Sequence, residues 1–256
     1  MKLLIGVPTS GQPTQPFLDA LPLLALPPDT DADRVIWSGN AVAAQREMIA
    51  RHAVATGCDV LVMIDDDIVP PPDGLVRLLA ALEDDARAAV VGALYYSRDS
   101  ARPMAVAQWN STDTTEGAIP AFRSDRTAVV DGVGFGCVAL RISALRALRT
   151  PYFGSHLFVD ERSRTVRQCD EDYLYCERVR NEGWRVLLHP GVRASHYDRT
   201  AKASAPVRWE DDAATDHLRM IVRDADGMTR LLPFDPNHPR ADERQEPFPV
   251  ALLFGG

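Results

Sequence analysis

Lysine is almost absent from this chain. Lys2 and Lys202 are the only two among 28 Lys+Arg residues, so chemistries that need a dedicated lysine, a Schiff base or a Walker-type phosphate loop, have little to draw on. Cysteine is scarce too: Cys58, Cys137, Cys169 and Cys176 show no paired CxxC spacing. Reduced thiols in a cytoplasmic setting are therefore expected, and the Asn110-Ser111-Thr112 sequon is then incidental. No apolar stretch approaches the roughly 18 to 20 residues of a membrane span. The apolar start at residues 2–7 is cut by Pro8 and is followed by no cleavage-like site, so it reads as a buried strand rather than a leader. Positive charge is also in deficit, with a formal net charge of −8. No basic face stands out, which argues against a general nucleic-acid binder and leaves room only for a local anion pocket.

What is present is enough for a full core. With 256 residues, 46% of them hydrophobic, the chain suits one large domain or a domain with a small appendage. Residues 2–7 form a first strand, stopped by Pro8-Thr9-Ser10-Gly11. Residues 12–33, rich in proline and aspartate, read as irregular structure with one short helix near 17–24. Residues 40–56 suit an amphipathic helix closed by Gly57, and 59–64 a second buried strand. Leu75, Leu78, Leu79 and Leu82 repeat at helical spacing behind Asp73, a plausible N-cap. Strands follow at 88–94 and 104–109, with a loop or hairpin at 110–128 and a glycine-punctuated apolar run at 129–140. A short helix spans 143–148, a polar connection 150–168, a helix 170–182 ended by Gly183, and a strand 185–188. Strands alternating with helices imply a mainly parallel sheet covered on both faces, whose ligands gather at the strands' carboxyl ends. The rhythm breaks after about residue 198. There a hairpin, 218–222 with 229–232, and a proline-rich tail form an extension over 199–256; its apolar end, 248–254, is suited to packing on the domain or on a second subunit of a homo-oligomer.

The strongest local signal is Asp65-Asp66-Asp67, directly after the apolar strand. Three adjacent carboxylates repel one another, so the run is costly unless a cation or hydrogen-bond donors neutralise it. Asp65 and Asp67 have DxD spacing. Hard oxygen ligands on a strand-end turn suit Mg2+ or Mn2+ bridging a diphosphate. A solvated acidic turn ahead of a helix is the plainer alternative.

With these residues the sequence resembles a known group. The run V-L-V-M-I-D-D-D-I-V-P-P-P-D-G-L at 60–75 resembles the central segment of GT-A-fold glycosyltransferases, close to the large inverting family 2 type. L-I-G-V-P-T at 4–9 is similar to that fold's first strand and nucleotide loop. D-G-V-G-F-G-C at 131–137 resembles its donor and acceptor segment, and Asp170-Glu171-Asp172, followed by Tyr173 and Cys176, the acidic motif that opens the catalytic helix. The resemblance spans roughly residues 2–198. It implies an α/β fold of GT-A (Rossmann-like) type, a domain over 1–198, and transfer of a sugar from a nucleoside-diphosphate sugar to an unidentified hydroxyl acceptor. The GT-A enzymes that retain configuration share the DxD motif and the histidine, so the inverting outcome rests on likeness to family 2.

The resemblance also suggests roles. Asp67 is the expected direct metal ligand, Asp65 a ribose contact or water-mediated ligand, and Asp66 an orienting neighbour at the donor. A cation at Asp67 would act as Lewis acid on the leaving diphosphate. Asp172, at a helix start, is the candidate base for the acceptor hydroxyl, with Glu171 positioning substrate. His196 is the expected further metal ligand, and His189 its rival. Arg46 stands where the family carries an Arg-Asn pair near the nucleotide, but Glu47 replaces the asparagine. Pro8 and Thr9 are placed near the nucleobase and ribose, and Gly134 and Phe135 near the donor. Among Tyr95, Tyr96, Trp109, Phe135 and Tyr152, Phe135 and Trp109 are the two expected to offer platforms to sugar rings. The loops 95–103, 110–128 and 150–168 are expected to shape the acceptor site.

Three other readings compete. A dehalogenase-like phosphatase also sets a DxD at a strand end but needs a downstream lysine. A nucleotidyltransferase acting on a sugar phosphate shares fold and metal, yet Pro8-Thr9-Ser10-Gly11-Gln12 lacks the basic residue of its loop. A non-catalytic nucleotide- or carbohydrate-binding module would have no use for Asp65, Asp67, Asp172 and His196 together.

Overall fold

A computed structural model describes residues 1–39, 41–97, 103–107, 109, 118–119, 122, 126–160, 165–199, 203–204, 219–223, 229–233 and 248–249. In chain order the first half runs β1 (Lys2–Thr9), α1 (Gln15–Ala20), a 3-10 turn (Leu21–Leu23), β2 (Asp31–Ser38), α2 (Val42–Ala55), β3 (Val60–Ile64), β4 (Ile68–Val69), α3 (Gly74–Asp84) and β5 (Ala88–Leu94). Then come β6 (Ala105–Val106), β7 (Ala118–Ile119), β8 (Ala128–Val130), β9 (Gly132–Val133), β10 (Cys137–Arg141) and α4 (Ile142–Ala147). The remainder is β11 (His156–Asp160), β12 (Thr165–Cys169), α5 (Glu171–Asn181), β13 (Arg185–Arg193), β14 (Ser195–Asp198), β15 (Ala203–Ser204), β16 (Arg219–Arg223), β17 (Thr229–Pro233) and β18 (Phe248–Pro249).

A seven-stranded sheet in the order β2-β1-β3-β10-β5-β13-β8 carries the fold. β2, β1, β3, β5 and β13 run in one direction, whereas β10 and β8 run against them. The sheet is thus mainly parallel and covered on both faces, as expected. Alternate residues of one strand go to separate cores. On β3, Leu61 and Met63 face Ile49 and Ala50 of α2, Leu145 of α4 and Tyr175 and Val179 of α5. Val60, Val62 and Ile64 face Phe17 of α1 and the leucine stripe of α3. Leu75, Leu78, Leu79 and Leu82 are all essentially buried, each contributing about 1.5–3 kcal/mol of apolar burial.

Several elements depart from the sequence reading, each for a local reason. The stretch 12–33 was expected to be irregular, but its end joins β2, an edge strand pairing with β1 alone. Its sequence, D-A-D-R-V-I-W-S, carries three charges in its first four residues and is mostly exposed. β1 runs on through Pro8 and Thr9; pairing with β3 ends at Gly6, so Pro8 lies where the strand is laddered on one side only. β13 continues past Pro190 because a register shift between His189 and Arg193 steps over it. The expected strand at 104–109 shrinks to β6, and the connection 150–168 contains the β11–β12 hairpin. Asp73 does occupy the N-cap position of α3, but without a side-chain capping bond. The distal hairpin appears as β16–β17, and β18 pairs with β7. No helix among the described residues is long and apolar enough to cross a membrane.

Candidate active site

The parallel strands β1, β3 and β5 deliver their carboxyl ends to one edge of the sheet. β10 starts at that same edge, since Cys137 pairs with Ile64. The acidic triplet turns over immediately beyond β3: the Asp65 N–H donates to the Gly136 carbonyl at 2.9 Å, and the Ile68 N–H to the Asp65 carbonyl at 3.0 Å. β4 then pairs with β14, setting His196 opposite Ile68, and the Tyr197 N–H donates to the Asp67 carbonyl at 2.8 Å. Residues more than a hundred positions apart in sequence are thereby brought together.

Each carboxylate of the triplet meets different company. Asp65 receives both of its bonds from one Arg46 nitrogen, Nη2 to Oδ1 at 2.8 Å and to Oδ2 at 2.9 Å. The other Arg46 terminal nitrogen, Nη1, donates to Glu171 Oε1. Arg46 is 4% exposed, and its guanidinium lies 5.7 Å from the centre of the Phe135 ring. Burial opposes its charge, but Asp65, Glu171 and Asp172 outweigh burial and hold it firmly protonated. Asp66 accepts from the Thr9 hydroxyl and from Nη2 of Arg199. Asp67 Oδ1 faces His196 Nε2 at 3.7 Å.

His196 is prepared from behind. Its Nδ1 lies 3.0 Å from the Tyr96 carbonyl, which can only accept, so Nδ1 donates there and Nε2 is the ring nitrogen turned toward Asp67. The Tyr95 ring packs edge-on against the imidazole with centroids 5.8 Å apart, and its hydroxyl accepts from the Gly136 N–H at 2.9 Å. A Cβ at Gly134 or Gly136 would overlap Tyr95; the glycines of the 131–137 run admit the ring that braces the histidine. His189 lies on β13 beside Arg77 and Asp73, where burial lowers its proton affinity.

The helix bearing Asp172 begins at Glu171 behind Asp170, its N-cap residue. Asp172 is 7% exposed, and its Oδ1 accepts from the Tyr173 N–H at 2.8 Å. Burial pushes its carboxyl up to about 7; Arg46 and the Tyr173 N–H pull it down, while Glu171 and Asp170 push it further up. A buried carboxyl titrating near neutrality suits proton transfer. The Trp109 ring lies 5.6 Å from that of Tyr173, next in sequence to Asp172. Its backbone is tied on both sides: its N–H donates to Asp131 Oδ2 at 3.0 Å, and its carbonyl accepts from Arg180 at 2.8 Å.

Glu47, the departure from the family's usual asparagine, has a structural use. Its Oε2 accepts from the N–H groups of Tyr152 at 2.6 Å and Phe153 at 3.0 Å, and its Oε1 pairs with Arg51 at 2.6 Å. Arg178 of α5 holds the same segment from the other side, donating to the carbonyls of Arg149, Pro151 and Tyr152. Phe153 stacks on Tyr175 with centroids 4.9 Å apart, and both pack edge-on against Phe135.

Several residues singled out in the sequence have partners within the protein. Asp65 is turned toward Arg46. Glu171 is bonded to Arg46, whose two terminal nitrogens thus hold two carboxylates. Phe135 is fully buried under Arg46, and Gly134 is buried beside it. Tyr95 and Tyr152 are core side chains as well. Pro8 and Thr9 lie inside β1, with the Thr9 hydroxyl bonded to Asp66; Ser10 to Gln12 follow the end of that strand. Among the described residues no group of three or more His, Cys, Asp or Glu side chains is arranged to hold a metal ion. What fits a divalent ion is the pair of one carboxylate and one imidazole, Asp67 and His196. Mg2+ and Mn2+ accept such a partial set because phosphate oxygens and water complete their shells. Parts of 95–103, 110–128 and 150–168, expected to shape the acceptor site, lie outside the described residues, as do the sequon and most of 199–256. Arg199 carries no local sequence signal, since nothing separates one arginine from the others in a chain whose positive charge is nearly all arginine.

No curated protein matches the chain. Among solved structures it is similar to the crystal structure of A197 from STIV, with a TM-score of 0.55, 18% sequence identity, and 92% of this chain and 95% of that one covered. At that identity the likeness is one of fold. Helices on both faces of a mainly parallel sheet, with the acidic turn at its carboxyl edge, make this a GT-A fold. The family described as glycosyltransferase like family 2 matches residues 32–210, more than half of the chain, and the chain belongs to that family of glycosyltransferases.

Proposed function

We propose that the protein transfers a sugar from a nucleoside-diphosphate sugar to an acceptor hydroxyl with inversion, Asp172 taking the hydroxyl proton. The observation that carries this is the Asp172 carboxyl itself. It is buried at the start of α5, titrates at about 7, and is joined to the acidic triplet through Glu171, Arg46 and Asp65. The acceptor oxygen bonds to the anomeric carbon as the bond to the diphosphate oxygen breaks; the proton goes to Asp172 and the bonding pair to the leaving diphosphate. Asp67 and His196 would hold a Mg2+ or Mn2+ ion, which when bound supplies Lewis-acid stabilisation of that diphosphate. Ser10 to Gln12, at the end of β1, form the edge nearest the nucleoside. Trp109 with Tyr173 flanks Asp172 and offers the acceptor an apolar face.

Incubation with a panel of nucleotide sugars, with and without Mn2+, tests the reading. Nucleoside diphosphate should be released only with the cation. Asp172→Asn should keep donor affinity and lose about 10^2- to 10^4-fold in turnover. Full turnover in that variant would remove Asp172 as the base. Incorporation of labelled pyrophosphate into a nucleoside triphosphate would mark nucleotidyl transfer instead.

A further inference from the structure

Two arginines meet the acidic triplet from opposite sides. Arg46 approaches from within, its side chain 5% exposed, and bonds Asp65 and Glu171. Arg199 approaches from the rim, its side chain 33% exposed. It is the first residue of the turn joining β14 to β15, three positions after His196. Its Nη2 donates to Asp66, its Nε lies 3.9 Å from Asp67 Oδ2, and its Nη1 donates to the Gln12 carbonyl in the loop after β1. One guanidinium thus spans the crevice between the loop edge and the carboxylates.

We propose that Arg199 is a transferable counter-cation: it holds Asp66 and Asp67 in the cation-free protein and passes to the donor's diphosphate when a divalent ion occupies Asp67. The proposal rests on the reading that Asp67 and His196 take a divalent cation. Three observations support it. A divalent charge on Asp67 would sit beside the guanidinium, and like charges at such distances repel. Asp66 would not be orphaned by the departure, because its other oxygen keeps the Thr9 hydroxyl. A guanidinium is a planar fork that matches phosphate oxygens in pairs, and this one reaches from Gln12 in the loop after β1 to Asp66 and Asp67. Arg46 has less freedom, since leaving would strand the buried Glu171 and the half-buried Asp65.

The test is calorimetric and needs no sugar donor. The full chain, with Arg199→Ala and Arg199→Lys variants, is titrated with Mn2+ alone and then, at saturating Mn2+, with inorganic pyrophosphate. Removing a positive side chain should tighten Mn2+ binding several-fold while weakening pyrophosphate about 10- to 100-fold, the range for a hydrogen bond to a charged group. Lysine keeps the charge without the fork, so it should restore the weaker Mn2+ binding and only part of the pyrophosphate affinity. Mn2+ binding no tighter in Arg199→Ala, or pyrophosphate binding equal to wild type, overturns the proposal. If the alanine variant melts early, Arg199→Gln gives the same two readouts. Failure of the wild type to bind pyrophosphate with any divalent cation would instead remove the transfer reading itself, and the handover with it.

Discussion

The inner wall and the outer rim of the acidic edge use the same chemistry, arginine against carboxylate, and differ in how much water reaches the arginine: the side chain is 5% exposed for Arg46 and 33% for Arg199. On the inner wall, buried Arg46, Glu171 and Asp172 and half-buried Asp65 share one network above an aromatic layer of Phe135, Phe153 and Tyr175. On the rim, Asp66 and Asp67 are themselves buried, whereas His196 and Arg199 keep partial access to solvent. A buried charge cannot give up its partner cheaply, whereas a rim charge can exchange one partner for another. The comparison assigns the inner wall to geometry and proton affinity, and the rim to ligand exchange.

Breaking the inner network should have the largest effect on folding. Arg46→Ala leaves Asp65 and Glu171 facing each other without a cation, at a cost of about 3–5 kcal/mol in urea denaturation. Arg46→Lys should recover only part, because one ammonium replaces a fork that reaches two carboxylates. A loss under about 1 kcal/mol would mean that the inner wall behaves like the rim.

The next effect is a pH dependence of stability. The Asp172 carboxyl is raised from 3.8 to about 7 on folding. Between those values the folded state holds a proton that the unfolded state has released, so this residue makes stability fall as pH rises, by up to about 1.4 kcal/mol per unit. Asp172→Asn removes that slope and should be more stable than wild type at pH 8, with little difference near pH 4. Parallel stability curves for the two proteins would show that the carboxyl is not raised.

Smaller again is the anchor beneath the wall. Glu47→Ala strips the N–H groups of Tyr152 and Phe153 of their acceptor, costing about 1–3 kcal/mol, and Glu47→Gln should restore part of it. The smallest effect on stability belongs to the rim: Arg199→Ala should change it by no more than about 1 kcal/mol. A larger loss would make Arg199 a structural residue and set the two regions on equal terms.

Much of this architecture was legible because it is local. The five apolar residues of β3, the leucine spacing of α3 and the acidic start of α5 each state their element within a short window. The triplet and His196 were recognised by order along the chain, and the β4–β14 pairing gives them a physical reason to meet. What stayed hidden is what depends on distant partners. The reversed β10 between β3 and β5 has no signature, and β2 is polar because an edge strand can be. The direction of a side chain is also invisible: nothing in the sequence turns Asp65 inward and Asp67 toward His196. Glu47 shows the limit most clearly. It read as the loss of a family asparagine, whereas its partners are backbone N–H groups 105 and 106 residues away.

The most direct measurement is the pH profile of kcat/KM for metal-dependent release of nucleoside diphosphate, in the wild type and in Asp172→Asn. The wild-type rate should rise with pH through about 7 as the Asp172 carboxyl loses its proton, and the asparagine variant should bind donor normally with that rise gone and turnover all but lost. An asparagine variant that kept both the rise and the rate would contradict the assignment of Asp172 as the base, and with it the division between a fixed inner wall and an exchanging rim.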